Sequence, residues 1–239
     1  LPADSAAISS AVCFGMPSRE PAFWREDIAR AKAALAPGQL LIVSVVASPE
    51  AGWSAAQVAD DYAQCAAWAV EAGADVVEAN YSCPNVCSAE GQVYTDVALS
   101  ETVTETIRSG MGELPLLLKI GVFPDATLQR DFLRTVSGSA HGITLVNGIA
   151  REVRHADGRP VFGEQYLRAG VLGRIIHEPC VKAVREARAV IDAEELPLAL
   201  AAVGGVSSVQ DYEDFMAAGA DAVLCGSSPM YLPDLAVEI

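Results

Sequence analysis

The chain has few basic residues for the number of acidic residues it carries. Lys and Arg number 16 against 31 Asp and Glu, which gives a formal net charge of −15 at pH 7. Such an excess of negative charge repels phosphate backbones and anionic lipid surfaces. The composition therefore disfavours nucleic acid and membranes as partners.

A hydrophobic run long enough to cross a membrane is also missing, and the start of the sequence supports no claim about targeting. The longest apolar segment, LLIVSVVAS at 40–48, has about half the ~20 residues that a membrane-spanning helix needs. The opening segment, LPADSAAISS, contains neither a basic region nor a long apolar one, and residue 1 is not Met. No targeting signal is therefore read from this sequence.

The cysteines do not form a regular framework. They stand at irregular spacings, at Cys13, Cys65, Cys83, Cys87, Cys180 and Cys225. In a large acidic chain this pattern is typical of reduced thiols and predicts a cytoplasmic protein. Cys83 and Cys87 form a C-x₃-C pair, but no second pair or nearby His completes a metal site, so no metal is expected.

Apolar segments of strand length alternate with amphipathic helical segments along the chain. Its 239 residues, 51% of them hydrophobic, suffice for the core of a single domain over 1–239. The apolar segments lack polar alternation, which indicates parallel strands. They are 40–46, 74–80, 115–121, 142–147, 197–203 and 221–226. Helical segments at 54–73 and 206–220 begin near Ser and end near Gly. The alternation predicts an α/β fold with a parallel sheet.

Six strands fit either an open sheet or part of a (β/α)₈ TIM barrel, which needs eight. One helical segment, 20–38, and no convincing strand precede residue 40. Polar residues and glycines follow the strands, at Asn80, Lys119, Asn147, Gly204–Gly205 and Gly226–Ser227. Only in a barrel do all strand C-termini converge on one mouth. We therefore expect a TIM barrel with six of its eight strands in this sequence and the first two upstream of residue 1.

Two glycine-bearing loops follow the last two strands. AVGGVSS at 202–208 precedes a helix that Ser207 or Ser208 caps, and LCGSSP at 224–229 repeats the arrangement. Backbone N–H groups in such loops can bind a phosphate, and loops at this place are a common phosphate site in TIM barrels. A Gly-Gly pair can also be a simple tight turn. The two loops together predict a cofactor with a phosphate tail.

Three polar side chains end otherwise apolar strands. A buried lysine needs a compensating partner, so Lys119 points either to an anion or electron-rich ring in the mouth or to solvent at the strand end. Asn80 and Asn147 each offer a donor and an acceptor suited to the edge of a heterocycle. Either asparagine alone is more often a turn or cap residue.

In order and at similar spacing, these motifs resemble the dihydroorotate dehydrogenase family. The matching segments are EANYSCPN (78–85), LLKIG (117–121), LVNGI (145–149), AVGGVSSVQDYEDFMAAGADAV (202–223) and LCGSSP (224–229). FGMPS at 14–18 resembles the family's substrate loop, so the similarity runs from about residue 12 to the end. The resemblance implies an FMN-binding (β/α)₈ barrel of the cytosolic class that oxidises dihydroorotate to orotate in pyrimidine biosynthesis. The polar segment 151–165, with its Asp157-Gly158 hairpin signal, is a candidate interface of a homodimer.

The resemblance also implies roles for individual residues. Cys83 matches the general base, which takes a proton from C5 of the dihydropyrimidine as hydride passes from C6 to the flavin; taken alone it is typical of an ordinary core or loop thiol. Its loop, 82–96, has the composition of a mobile lid. The implied substrate-binding residues are Asn80, Asn85, Asn147, Gly15 and Met16. The implied cofactor-binding residues are Lys119, Asn147, Gly173, Gly204, Gly205, Gly226 and Ser227.

Two departures from the family pattern concern the substrate. Val12 to Gly15 lacks the family's Asn before Ser-Met-Gly, and Gly148 replaces a Ser or Thr. Each lost contact is worth on the order of 1 kcal/mol or more in recognition. A related FMN barrel oxidoreductase for another pyrimidine-like or enoate substrate therefore stays open, as does a degenerate, non-catalytic barrel. His141, His155 and His177 fall in no catalytic spacing and are expected at the surface or at helix caps.

Overall fold

The computed structural model describes residues 7–13, 15, 18–82 and 89–239. Within these ranges the strands are β1 (Ser9–Val12), β2 (Ile42–Val45), β3 (Val76–Asn80), β4 (Leu116–Ile120), β5 (Gly142–Leu145), β6 (Ile149–Glu152), β7 (Arg168–Gly173), β8 (Ala199–Val203) and β9 (Ala222–Leu224). The α-helices are α1 (Pro21–Ala34), α2 (Ala55–Ala72), α3 (Val97–Gly110), α4 (Ala126–Val136), α5 (His177–Ala193), α6 (Val209–Ala217) and α7 (Leu235–Glu238).

The main sheet is parallel and has the strand order β2-β3-β4-β5-β8-β9. Each of the six apolar segments contains one of these strands, so the predicted set is confirmed. Within the described residues β2 and β9 are the two edges of this sheet. All six strand C-termini consequently lie at one edge of the structure, as the sequence predicts.

Helices cover one face of the sheet. Burial alternates along β4, where Leu116, Leu118 and Ile120 are fully buried in the core while Leu117 and Lys119 are only half-buried. The opposite face is therefore partly open and carries polar side chains. Register pairs Ser44 with Glu78 and Lys119 with Thr144, which places these side chains next to one another on the open face.

Capping residues set the ends of several helices. Ser54 and Gln57 form a capping box at the start of α2, and Gly73 closes this helix in the left-handed conformation with φ of 108°. Ser208 caps α6, which decides between the two serines that the sequence proposes. Among the helices of the described ranges, none has the length and apolar character to cross a bilayer.

A second, antiparallel sheet with the order β1-β7-β6 was not expected from the sequence. The expectation of no strand before residue 40 is wrong, because β1 pairs Ser9 with Gly173. This pairing joins segments about 160 residues apart, so local periodicity does not indicate it. The predicted hairpin is present, since Arg154 pairs with Pro160 around Gly158, whose φ is 87°.

Candidate active site

A cavity of about 290 Å³ opens at the C-terminal ends of β5, β7, β8 and β9. Its walls include six of the residues that the sequence assigns to substrate or cofactor, namely Asn147, Gly173, Gly204, Gly205, Gly226 and Ser227. Apolar side chains of Val146, Leu172 and Met230 complete much of the lining. Residues separated by up to 80 positions in the chain therefore meet in one pocket.

Gly205 and Gly226 of this cavity differ in whether a side chain would fit in place of the glycine. Gly205 has φ of 71°, and a Cβ atom on it would lie 2.7 Å from the carbonyl oxygen of Gly173. Only glycine fits that close approach of two backbones. At Gly226 a Cβ would meet no protein atom nearer than 3.9 Å. Packing does not require glycine at 226, and the space in front of it is the cavity itself.

Helix α6 begins directly after the glycine loop. Ser208 accepts a hydrogen bond from the backbone N–H of Asp211, while the buried carboxylate of Asp211 accepts from the N–H (2.9 Å) and the hydroxyl (3.0 Å) of Ser207. Burial acts to raise the pKa of Asp211, but the hydrogen bonds from Ser207 and Ser208 outweigh it and hold the pKa below its ordinary value. The ionised carboxylate of Asp211 therefore holds the end of the glycine loop beside the N-terminus of α6.

The carboxylate of Asp211 belongs to a group of four ionisable side chains behind the loop, Arg174, His177, Asp211 and Asp214. His177 is buried, with Nε2 at 3.1 Å from Asp214 Oδ2 and Nδ1 at 3.3 Å from the carbonyl oxygen of Gly204. His177 is therefore not a surface residue, because its ring packs edge-on against Phe215 in the core, but it does stand at a helix end, as the first residue of α5. His141 and His155 are exposed as expected.

Within the described residues, one set of metal-ligand atoms lies close together, on His177, Asp211 and Asp214. Both oxygens of Asp211 already accept hydrogen bonds, one from Arg174 and the other from Ser207. A guanidinium at the centre of such a set competes with a cation. The group is therefore an ion-pair network rather than a metal site.

The two asparagines that end β3 and follow β5 contact each other. Asn147 Nδ2 donates to Asn80 Oδ1 at 2.8 Å and also to the carbonyl oxygen of Ser82. Asn80 Oδ1 additionally accepts from the Ser82 N–H at 3.2 Å. The structure thus brings together two predicted substrate ligands and fixes the orientation of the Asn80 amide.

Lys119 finds a partner that the sequence analysis missed. Its Nζ donates to Glu78 Oε1 and to Ser44 Oγ, each at 2.8 Å, and Ser44 Oγ donates to Glu78 Oε1 at 2.7 Å. Glu78 lies two residues before Asn80 in an otherwise apolar strand, and this period of two was the signal that could have found it. The positive charge of Lys119 is therefore compensated by the carboxylate of Glu78 on the open face of the sheet. The lysine does not simply extend into solvent at the strand end.

Two further positions, Thr144 and Gly148, lie beside residues of the proposed site. Thr144, the register partner of Lys119, is fully buried, and within the described residues its hydroxyl has no hydrogen-bond partner. At Gly148 a Cβ would lie 3.1 Å from Leu172 Cδ2. The bulky Leu172 therefore occupies the space that a side chain at 148 would need.

The remaining predicted site residues are placed as follows. Cys83, Asn85 and Met16 lie outside the described residues. Gly15 has φ of 67° and is not among the residues that line the cavity. Their predicted roles stay predictions.

Comparison with known proteins agrees with this geometry. The family model described as "Dihydroorotate dehydrogenase" matches residues 30–238. The chain belongs to the dihydroorotate dehydrogenase family. Membership confirms the resemblance that the motifs indicate, and the name of the family describes an oxidation at a CH–CH bond.

Curated family members align over most of the chain. The dihydroorotate dehydrogenase of Dictyostelium discoideum is 30% identical over 239 residues, which are 98% of this chain and 63% of that protein. The catalytic subunit of dihydroorotate dehydrogenase B (NAD(+)) from Staphylococcus carnosus is 27% identical over 187 residues, or 77% of this chain and 58% of the relative. The chain thus spans about six-tenths of the length of these relatives.

A solved structure confirms the fold. The crystal structure of the Eimeria tenella family member in complex with ferulenol superposes with a TM-score of 0.75 at 17% identity. The superposition covers 97% of this chain and 65% of that chain. The curled six-stranded parallel sheet with its helices is therefore of the TIM-barrel type, as predicted.

Proposed function

We propose that this protein is an FMN-dependent oxidoreductase that converts dihydroorotate to orotate, a step of pyrimidine biosynthesis. The observation that carries the proposal is the convergence of Asn147, Gly173, Gly204, Gly205, Gly226 and Ser227 on one cavity. Family membership supports the reaction, and the cavity supports a cofactor with a phosphate tail.

The residues present fit such a cofactor. The Gly204–Gly205 turn and the open space at Gly226 form a cradle that a Cβ atom would fill, and α6 begins beside it. The unpartnered, buried Thr144 hydroxyl on the open face, next to Lys119, offers a hydrogen bond to a ring. In this proposal Gly204, Gly205, Gly226 and Ser227 hold the phosphate, and Lys119 lies at the ring. When bound, FMN supplies a two-electron acceptor for the hydride from C6 of the substrate.

The side chains of this chain then orient the substrate and move a proton. Asn80 and Asn147, already joined by a hydrogen bond, present amide groups to the pyrimidine edge, with Asn85, Gly15 and Met16 as further substrate contacts. Cys83 takes the proton from C5 as the hydride leaves C6. The positive charge of Lys119 would stabilise negative charge on the reduced flavin.

One observation favours a second candidate substrate. Leu172 fills the space beside Gly148, where the family carries a hydroxyl, so an apolar group replaces a polar contact near the cavity. An enoate or a different pyrimidine-like compound with an apolar edge suits this arrangement. The cofactor and the hydride transfer would be the same in both cases.

The proposal also covers the cellular location and the oligomeric state of the protein. Cys13, Cys65, Cys180 and Cys225 are free thiols, which supports the proposal of a cytoplasmic enzyme. The proposal includes a homodimer whose interface uses the hairpin around Asp157-Gly158, and a small-molecule substrate.

The test is a spectroscopic titration. Purified full-length protein is loaded with FMN, and dihydroorotate is added without oxygen while the flavin absorption band is followed. We expect bleaching in the wild type and none in Cys83→Ala, with Cys65→Ala on α2 as the matched control that still bleaches. A yellow protein that bleaches only with another substrate selects the second candidate, and a protein that binds no flavin rejects both.

A further inference from the structure

The ion-pair network behind the glycine loop carries an inference that rests on the proposed function and deepens it. We propose that His177, held as an imidazolium by Asp214, Asp211 and the carbonyl oxygen of Gly204, is a positioning residue that shapes the 204–207 loop for a phosphate group. The consequence is that affinity for a phosphate-bearing cofactor depends on the proton of His177.

The charge state follows from the partners of the ring. Nδ1 faces the carbonyl oxygen of Gly204 at 3.3 Å, and a carbonyl oxygen can only accept a hydrogen bond. Nε2 faces Asp214 Oδ2 at 3.1 Å, and the hydrogen bond from His177 keeps the pKa of that carboxyl below its ordinary value, so it too only accepts. Both ring nitrogens therefore donate, which requires the protonated ring.

The network ties both ends of the loop to the helices behind it. His177 holds the carbonyl oxygen of Gly204, while Asp211 holds the N–H and hydroxyl of Ser207. Gly205 and Val206, which lie between these ties, line the cavity. Fixing the two ends leaves the intervening backbone in one conformation, so its N–H groups need no rearrangement when an anion binds.

The charges of the network balance only when the ring is protonated. Arg174 and His177 are then positive, and Asp211 and Asp214 negative; Asp211 Oδ1 also lies 3.6 Å from His177 Nε2. The thiol of Cys180, which packs behind Gly204, stays neutral because burial raises its pKa to about 12. Loss of the His177 proton leaves a net negative charge behind a loop that faces a phosphate, and it breaks one of the two ring hydrogen bonds.

The experiment measures FMN affinity of the full chain by fluorescence quenching between pH 5.5 and 9, in the wild type and in His177→Gln. Glutamine donates to one partner but does not titrate. Because a phosphate monoester itself titrates near pH ~6, the two proteins are compared at each pH. We expect the wild type to bind FMN about tenfold more tightly than H177Q at pH 6 and about equally at pH 9. Riboflavin, which lacks the phosphate, serves as the control and should give a constant ratio.

Asp214→Asn gives an independent measurement if H177Q folds poorly, since Asp214 is partly exposed. Without this carboxylate the imidazolium is less favoured, so the fall in FMN affinity should begin at a lower pH than in the wild type. A wild type to H177Q ratio that is the same at all pH values, an equal effect on riboflavin, or an unshifted D214N profile overturns this inference alone. Absence of binding of either flavin at every pH overturns the proposed function as well.

Discussion

Glu78 and Lys119 show how two charges are accommodated in the half-covered sheet. The Glu78 side chain is 6% exposed and that of Lys119 is 20% exposed, and their charged atoms lie 2.8 Å apart. Ser44 donates to the same carboxylate oxygen. A charge this deep is tolerated only because its partner and a hydroxyl replace water.

Replacing Lys119 and replacing Glu78 should destabilise the fold by different amounts. We expect Lys119→Met to cost about 3 kcal/mol of unfolding free energy, because it leaves the almost fully buried carboxylate unpaired. Glu78→Gln should cost about 1–2 kcal/mol, because Lys119 can still reach Ser44 and water. Urea unfolding measures both. The double variant is the control: its cost should be below the sum of the two single costs, and an additive result would show that the pair does not interact.

Cys180 is expected to be chemically inert. Burial raises the pKa of its thiol to about 12, so at pH 8 only about one thiol in 10⁴ is ionised. Treatment with iodoacetamide at pH 8, followed by mass spectrometry of peptides, should label Cys13, which is half-buried, at least about a hundredfold faster than Cys180. Equal labelling rates would contradict the buried position of Cys180 against the glycine loop.

At the scale of elements, α4 depends on the residue that caps its N-terminus. Asp125 accepts hydrogen bonds from the N–H groups of Thr127 and Leu128, each at 2.9 Å, and so satisfies two donors that a helix start leaves free. The helix then buries Phe132 and Leu133 against the sheet. The cap thus fixes where the apolar face of α4 begins.

Asp125→Ala should lower the unfolding free energy by about 1 kcal/mol, since it removes the cap and adds no new contact. Asp125→Asn is the matched control, because asparagine keeps the accepting oxygen, and it should cost less than about half as much. Denaturant unfolding followed by circular dichroism compares the two. Equal costs would mean that the charge, not the cap, stabilises this helix.

The junction between α1 and the sheet is pH-sensitive. Asp75 accepts from Lys32 Nζ (2.6 Å) and from the Leu41 N–H (2.8 Å), and the hydrogen bond with Lys32 is the largest cause that lowers the pKa of Asp75 below its ordinary value of 3.8. A folded-state pKa below the unfolded one stabilises the fold above the unfolded value, and this contribution is lost as the pH falls through the folded value.

Asp75→Asn should therefore remove part of the acid sensitivity of the fold. Wild-type stability should drop as the pH falls below about 4, and the curve of D75N should be flatter over the same interval. Thermal unfolding from pH 7 to pH 2.5 gives the two curves. Parallel curves would show that Asp75 titrates alike in the folded and unfolded chain.

At the scale of the whole molecule, the sheet has open edges. Within the described residues β2 and β9 pair on one side only, and at the β2 edge Leu40 is 68% and Ile42 41% exposed. Unpaired strand edges with apolar side chains associate with other chains. The net charge of −15 opposes this association and weakens with added salt.

A protein that consists of residues 1–239 alone should therefore self-associate with rising concentration, and more so at high salt. Ile42→Lys places a charge on the edge and should lower the associated fraction at least about twofold. Val237→Lys, at an exposed site on α7 outside the β2 edge, is the control and should have little effect. Sedimentation velocity measures the fractions; an I42K protein that associates like the wild type would exclude the β2 edge as the contact.

Much of the fold and part of the site could be predicted from the sequence. The six parallel strands, the caps at Ser54 and Ser208 and the family itself depend on neighbouring residues and ordered motifs, which are local properties of the chain. The glycines at 204, 205 and 226 could be picked out for the same reason, because each glycine-bearing loop is a run of a few consecutive residues, and their role in binding a phosphate stays a prediction. Roles for Cys83, Asn85 and Met16 stay predictions.

Other features were decided only by the tertiary structure. The β1–β7 pairing, the packing of His177 on Phe215 and the contact of Leu172 with Gly148 each join residues far apart in the chain. Such contacts are set by how sheets, helices and loops pack, and a single sequence does not encode that packing in any local pattern. The sequence by itself determined which residues could form a phosphate-bearing cofactor site, while the packing determined which charges stand behind it.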